Sequence, residues 1–450
     1  MSSRHNFLSA IFALATSIAS PLLAEEAAPQ VTLFTNVNVF DGVNEKLIKN
    51  ANVVVAGNKI TVVSTESQAV AGGKVIDGGG RTLMPGFIYA HEHIMMQASS
   101  PELLLQDDRY MAILSTKIAR MYLDRGITTI RDAAGNSYGL KAAIDKGIVP
   151  GPRIYPSGPM ISQTSGHADH RFPTTPSTFA GGSLDVMVTQ RGDFLVADGV
   201  PELLKATREN LRRGSSQIKI AVGGGTGSQS DPLEVTEFLP EEISAVVQAT
   251  EDFGTYVMAH VYNSNGIRRA VDAGVKCIEH GNLIDHETLQ YMKDKNVWLS
   301  PQVTVYTYIP AGYTEEQARK HRQAYAGIDT MFGNAKKIGF NNIVLGSDII
   351  AAPAAIDTIL NELNLRSKWF TPFEILRQGT SNGGKLLALS NVMNPYKQGK
   401  LGVIEEGAYA DILLVDGNPL QDITIATNHE NFRIIMKDGK IYKNTLKNKR

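Results

Sequence analysis

The chain has 450 residues, 43% of them hydrophobic, with 44 Lys and Arg against 45 Asp and Glu, 10 His and 1 Cys. A near-neutral balance with no block of like charge gives nucleic-acid binding and electrostatic membrane attachment no support. With Cys277 alone, an internal disulfide is excluded, so stability must come from burial, and the length exceeds one ordinary domain.

Arg4 and His5 open the chain with weak positive charge, and Phe7 to Ala19 is almost wholly apolar or small. Leu22-Leu23-Ala24 before Glu25-Glu26 then offers a small-residue cleavage site, so residues 1–24 are expected to be a secretory signal. The mature chain would begin near Glu25 and be exported, most simply to a bacterial periplasm. Its removal takes away Arg4 and no acid, leaving 43 basic against 45 acidic residues, a net of −2. No later segment reaches about 18 consecutive apolar residues, and no lipid-anchor cysteine follows the signal, so no membrane anchor is expected.

Residues 31–83 read as short β-rich segments, Val31–Phe34, Val37–Phe40, Ala51–Val55 and Lys59–Val63, with Gly42, Gly57 and Gly72-Gly73 between them. The same style returns at Ala410–Gly417 and Phe432–Ile441. These ends, residues 25–85 and 391–450, are predicted to form one small β-sandwich domain. Residues 86–390 alternate between strand and helix patterns. Eight strands are expected, at 86–91, 126–132, 152–157, 216–222, 255–260, 275–280, 296–301 and 342–348. Helical stretches such as 102–125, 201–213, 240–253 and 314–337 separate most of them. That alternation predicts an α/β fold of the (β/α)8 TIM-barrel type. A doubly wound sheet is the alternative, but no Gly-rich dinucleotide fingerprint follows the first strand. Gly223-Gly224-Gly225-Thr226-Gly227 lacks the Lys-Ser/Thr of a phosphate loop and reads as a loop closely approaching metal or substrate. Residues 157–183 look like one long loop, a length that is usually functional.

His91-Glu92-His93 closes the first expected barrel strand. Chance alone supplies about 0.2 His-x-His pairs in a chain of this composition, so the pair is weak by itself. In a regular strand both imidazoles point to one face, close enough for one metal ion. Lys219, His260, His280 and Asp348 each end a further strand-like segment, and catalytic groups of such barrels lie at strand C-termini. The flanking Ile218 and Ile220 would face the helices and turn Lys219 into the mouth. A lysine salt-bridged to a carboxylate accounts for that position equally well, either histidine can be a core residue, and Asp348 can cap a helix. The argument rests on convergence.

These motifs resemble the amidohydrolase superfamily over essentially the whole mature chain. The resemblance is carried by Pro85-Gly86-Phe87 leading into His91-Glu92-His93, by Gly126–Asp132, by Ala273–Gly281, by Gly346-Ser347-Asp348 and by Leu401–Leu420. Residues 162–169, Ala259–Tyr262 and Glu279–Asp285 are most similar to its secreted prolidase-like branch of Xaa-Pro dipeptidases, carboxypeptidases and ochratoxin-hydrolysing amidases. The resemblance implies two divalent ions, usually zinc, bridged by Lys219 carboxylated with CO2. By similarity His91, His93 and Asp348 would serve one ion and His260 and His280 the other. Asp348 would take the proton of the attacking water. Tyr262 and His167 match substrate-contacting positions, Tyr262 as a donor to the developing oxyanion, while His170 and Arg171 are further candidates for holding a substrate carboxylate.

The expected reaction is hydrolysis of a peptide-like or aryl amide next to a C-terminal carboxylate, in an Xaa-Pro dipeptide, an N-acyl amino acid or an ochratoxin A type substrate. The alternative is a cyclic-amide hydrolase or deaminase of the imidazolonepropionase type, which commonly lacks the bridging lysine. Barrels of this size often self-associate, so a homo-oligomer is compatible with the sequence. Two departures from the branch stand out: Tyr89 two residues before His91, where many relatives carry Asp, and Ser165 where Gly is frequent. A lost carboxylate beside a ligand would loosen its orientation.

Overall fold

The computed structural model describes residues 30–184 and 187–446, so the expected signal segment lies outside the described residues. The two chain ends meet in one eight-stranded mixed sheet. Its order is Lys440–Asn444, Phe432–Lys437, Ile412–Val415, Thr82–Pro85, Val31–Val39, Ile48–Ala56 and Lys59–Ser64, with Lys74–Asp77 paired to Val31–Val39. The two ends expected to form a β-sandwich share one hydrogen-bonded sheet, in which Ile412–Val415 pairs directly with Thr82–Pro85. Period-two alternation explains why Ile412–Val415 and Phe432–Lys437 are buried on both faces. Ile412, Leu414, Ile434 and Met436 pack with Phe34, Val37 and Val53, whereas Leu413, Val415, Phe432 and Ile435 join the main core. The turn between its last two strands uses Asp438 and Gly439 at φ +55° and +71°, as the tight right-twisted hairpin requires.

The middle of the chain forms two parallel sheets flanked by helices. Phe87–Glu92, Ile127–Asp132 and Arg153–Pro156 make one. The other runs Phe194–Val196, Met160–Ser162, Ile218–Ala221, Val257–Asn263, Cys277–Leu283 and Trp298–Ser300. Seven of the eight expected barrel strands are present. The eighth is an extended segment held by one bridge, Leu299 to Ile343, and by backbone bonds from Val344 to Leu299 (3.1 Å) and from Ala90 to Leu345 (2.6 Å). It thus spans from the second sheet to the first. At the other margin Ser216 donates to the Pro156 carbonyl at 2.8 Å. The sheets are linked at both margins without one continuous ladder among the described residues.

The long loop expected at 157–183 is a correction. Met160–Ser162 pairs with Phe194–Val196 and, through Ile161, with Ile220. Strands of three residues are too short to show a period, so only their partners reveal them. Helix ends follow local chemistry more closely. Glu315–Ile338 starts at a Thr314/Gln317 capping box and stops at Gly339, φ +64°. The helix expected at 102–125 divides into Ser100–Leu105 and Asp108–Asp124, because Asp107 caps the second by accepting from the Tyr110 N–H at 2.9 Å.

Candidate metal centre

All six expected ligand residues line one cavity of about 320 Å³ at the C-terminal ends of these strands. The first strand reaches it by an irregularity. Tyr89 points to the helix side, into the main core, and its hydroxyl donates to the Ile359 carbonyl at 3.3 Å. The register to the next strand slips between Tyr89 and Glu92, which resets the alternation and sends His91 into the cavity. Regular alternation predicted this outcome for a different reason. His93 lies one residue past the strand, and its ring centroid is 5.3 Å from that of His91. Glu92 turns away, accepting from the Tyr122 hydroxyl (2.7 Å), the Ser347 hydroxyl (2.8 Å) and the Ser347 N–H (2.7 Å). Burial raises its carboxyl to about 8.

Asp348 is the hub. Its Oδ1 lies 3.0 Å from His93 Nε2 and 3.4 Å from His91 Nε2, and its Oδ2 is 3.8 Å from His280 Nδ1. Among the described residues, His91, His280 and Asp348 bring their ligating atoms within 4.8 Å of one another. Asp348 and His280 both hold positive φ, +54° and +69°, a conformation that costs of order 1 kcal/mol outside glycine and that clusters at functional sites. Close approach needs Gly346, where a Cβ would fall 2.8 Å from the His91 nitrogen.

Outer partners set the imidazole tautomers. His91 Nδ1 donates to Glu279 Oε2 at 2.6 Å, and Glu279 Oε1 accepts from Arg131 at 2.7 Å. Gln302 donates to the Ser300 carbonyl at 2.6 Å, which turns its Oε1 to accept from His280 Nδ1 at 2.8 Å. In both rings Nε2 keeps its lone pair for a ligand. Burial opposes charge on Glu279, but Arg131 and His91 outweigh it and hold the carboxyl far below its usual range. Glu279, Arg131 and Gln302 were not singled out from the sequence. Glu279 pairs with His260 in register, a relation visible only once the two strands are paired. Tyr89 leaves no gap, because Glu279 supplies the carboxylate to His91.

Burial lowers His93, His260 and His280, leaving these imidazoles neutral. Burial also lowers Lys219 to about 8, with Glu279 and Asp348 pulling the other way. Its neighbours Ile218 and Ile220 face the helices as expected. Burial disfavours the Asp348 anion, yet His91, His93 and His280 hold it well below the ordinary carboxylate range.

His167 stacks on His260 at 4.0 Å and 12°. Its Nδ1 meets Ser228 Oγ at 2.9 Å and Asp231 Oδ2 at 3.3 Å. A Cβ on Gly225 would come within 2.0 Å of that ring, so the glycine loop approaches His167 itself. Tyr262 is stacked with His280 at 5.1 Å, and its hydroxyl is 2.7 Å from that of Tyr306. His170 and Arg171 reach the cavity wall, but burial lowers His170 to about 4 and Asp169 engages both faces of the Arg171 fork at 2.6–2.7 Å. His170 is therefore neutral at pH 7. Ser165 takes φ +64°, the conformation its glycine counterpart adopts freely.

A set of neutral imidazoles, an anionic carboxylate and a buried amine is the donor chemistry of hard-to-borderline divalent cations. The amidohydrolase family model matches residues 82–442, and the chain belongs to that family. Ochratoxinase of Aspergillus niger is 30% identical over 337 residues, covering 71% of this chain and 66% of the relative, just under two thirds of its length. Among solved structures, a prolidase complexed with N-methylphosphonate-L-proline aligns with TM-score 0.85 at 30% identity, over 92% of this chain and 100% of that one. The crystal structure of A. niger ochratoxinase aligns with TM-score 0.80 at 27% identity, over 93% and 96%.

Proposed function

We propose that the chain is a binuclear metal-dependent hydrolase of amide bonds, cleaving next to a substrate carboxylate. The observation that supports it best is the convergence of His91, His280 and Asp348 within 4.8 Å, with His93, His260 and Lys219 on the same cavity. His91, His93 and Asp348 would hold one ion and His260 and His280 the other, with zinc the expected metal. Lys219, carboxylated by CO2, would bridge them. An amine lowered to about 8 is uncharged in about a tenth of molecules at pH 7, far more than an ordinary lysine, and the uncharged form is the one that adds CO2. Such an ion pair supplies Lewis acidity and an acidified water. Asp348, held anionic, accepts the proton and returns it to the leaving amine. Tyr262, kept protonated by burial, donates to the carbonyl oxygen as charge develops.

Substrates on this reading are Xaa-Pro dipeptides, N-acyl amino acids or ochratoxin-like amides. Of the expected carboxylate partners, Arg171 alone carries a fixed charge. Arg191 is a second wall cation that the sequence reading passed over, with its charge met by Asp193 at 2.7 Å. We also read residues 86–390 as the hydrolase barrel, residues 25–85 with 391–450 as the accessory domain, and residues 1–24 as an export signal. No helix among the described residues is long and apolar enough to cross a membrane.

The test is metal content and turnover together. Purified protein should carry about two ions per chain, and Lys219→Ala should lose the bridge and most activity, with partial rescue by short carboxylic acids. One tightly held ion, unaffected by Lys219→Ala, would defeat the binuclear reading.

A further inference from the structure

A second cavity, a cleft of about 670 Å³, opens between the terminal sheet and the N-terminal end of the strand Arg153–Pro156. It shares no lining residue with the metal centre. Lys437 lies two residues beyond Ile435, on the barrel-facing side of its strand, and is 4% exposed. Its ammonium makes no hydrogen bond or ion pair with any described residue. Lys59 Nζ, outside the cleft lining and 3.7 Å above the Tyr409 ring, is buried without a hydrogen-bond acceptor. Arg153, again 4% exposed on its side chain, sits 4.0 Å from the Tyr409 centroid and 5.0 Å from that of Tyr396. It pairs with Asp411 at 3.0 Å and Asp438 at 2.6 Å.

Charges at this spot do not cancel. Arg153, Lys397, Lys437 and Lys440 line the cleft against the carboxylates Asp145 and Asp438, and Asp145 is already engaged by Lys141 and the Tyr396 hydroxyl. Four lining cations against two carboxylates leave two positive charges, which the lining aromatic rings stabilise only in part. Burial, followed by repulsion from Arg153, pulls both Lys59 and Lys437 below the normal amine range. Unpaired ammonium groups of this kind are costly to bury.

We propose that this cleft binds a small oxyanion bearing two negative charges, of the phosphate class, which Lys437, Lys397 and Lys440 hold between the terminal sheet and the barrel strands. Such a ligand closes the charge deficit and ties two layers together, so binding should stabilise the folded chain.

The experiment is a thermal-unfolding titration of metal-loaded protein with inorganic phosphate, each point compared with NaCl of equal ionic strength. Wild type should show a saturable rise in Tm. Lys437→Met should move its midpoint at least about tenfold higher, the scale of a lost charge-assisted hydrogen bond. Lys440→Gln, on the exposed rim, should move it about threefold and keeps the question open if a buried variant does not fold. Asp348→Asn should leave the midpoint unchanged, separating the cleft from phosphate bound at the metals. No rise beyond NaCl, or a wild-type midpoint in Lys440→Gln together with Lys437→Met, would overturn the proposal.

Discussion

Asp348 joins three imidazoles through two oxygens, so its loss should affect chemistry more than folding. Asp348→Asn keeps the shape and removes the proposed proton acceptor. The maximal rate should fall by at least about a hundredfold, the range of general acid–base catalysis, and a stopped assay at saturating substrate and metal reads this directly. Glu279 acts at one remove, through His91. Replacing it with Gln weakens the acceptor on Nδ1 and leaves Arg131 buried opposite a neutral amide. Metal affinity should drop about 10- to 100-fold, measured by competition with a chromogenic chelator, while kcat at saturating metal recovers most of its value. A loss confined to kcat with affinity intact would place Glu279 in the chemistry instead. Residue types at strand ends made the six cavity-lining candidates readable from the sequence. Glu279 was not readable, because its role depends on which ring faces it across the interior.

Short elements carry the cavity wall, and buried charge fixes them. The helix Asn361–Arg366 presents Glu362, fully buried, whose carboxylate accepts from the Val303 and Thr304 N–H groups at 2.7–3.1 Å and from the Thr304 hydroxyl at 2.7 Å. Arg366 on the same helix pairs with it at 2.8 Å and donates to the Val344, Pro301 and Gln378 oxygens. Gln302, which orients His280, sits inside this frame. Arg366→Met strands the Glu362 charge, so stability should fall by about 3–5 kcal/mol, read as a lower urea midpoint. Weaker metal retention should accompany it, because the loop bearing Gln302 loses its anchor. Helix limits such as Thr314 and Gly339 were visible in the sequence because capping is a matter of a few neighbouring residues. The split at Asp107 belongs to the same local chemistry but was masked by the continuous apolar pattern on either side.

Across the molecule, the terminal sheet depends on residues about 335 positions apart. Asp416 accepts from Arg81 at 2.5 Å and from Arg433, binding the N-terminal segment to the C-terminal strands. Burial opposes its anion, but the two guanidinium bonds hold the carboxyl below its ordinary 3.8. A folded value beneath the unfolded one contributes stability above pH 3.8 that is lost as pH falls through the folded value. Wild type should therefore lose Tm on acidification below about pH 4. Asp416→Asn should start lower at neutral pH and show a shallower acid limb in calorimetric scans. An unchanged acid limb would remove Asp416 from the account.

Composition, periodicity and motif spacing carried the alternating α/β architecture, the β-rich ends and the six residues around the cavity, since each rests on contacts within one element or on side-chain chemistry. Three features needed distant neighbours. The slip between Tyr89 and Glu92 comes from pairing with Ile127–Asp132, and it decides which face His91 occupies. The strand Met160–Ser162 exists only because Phe194–Val196 and Ile220 flank it. The joining of Ile412–Val415 to Thr82–Pro85 turns two separate β-rich ends into one sheet. Register and pairing are relations between chains of atoms far apart in sequence, so no local pattern encodes them, and the cavity takes its final shape from those pairings.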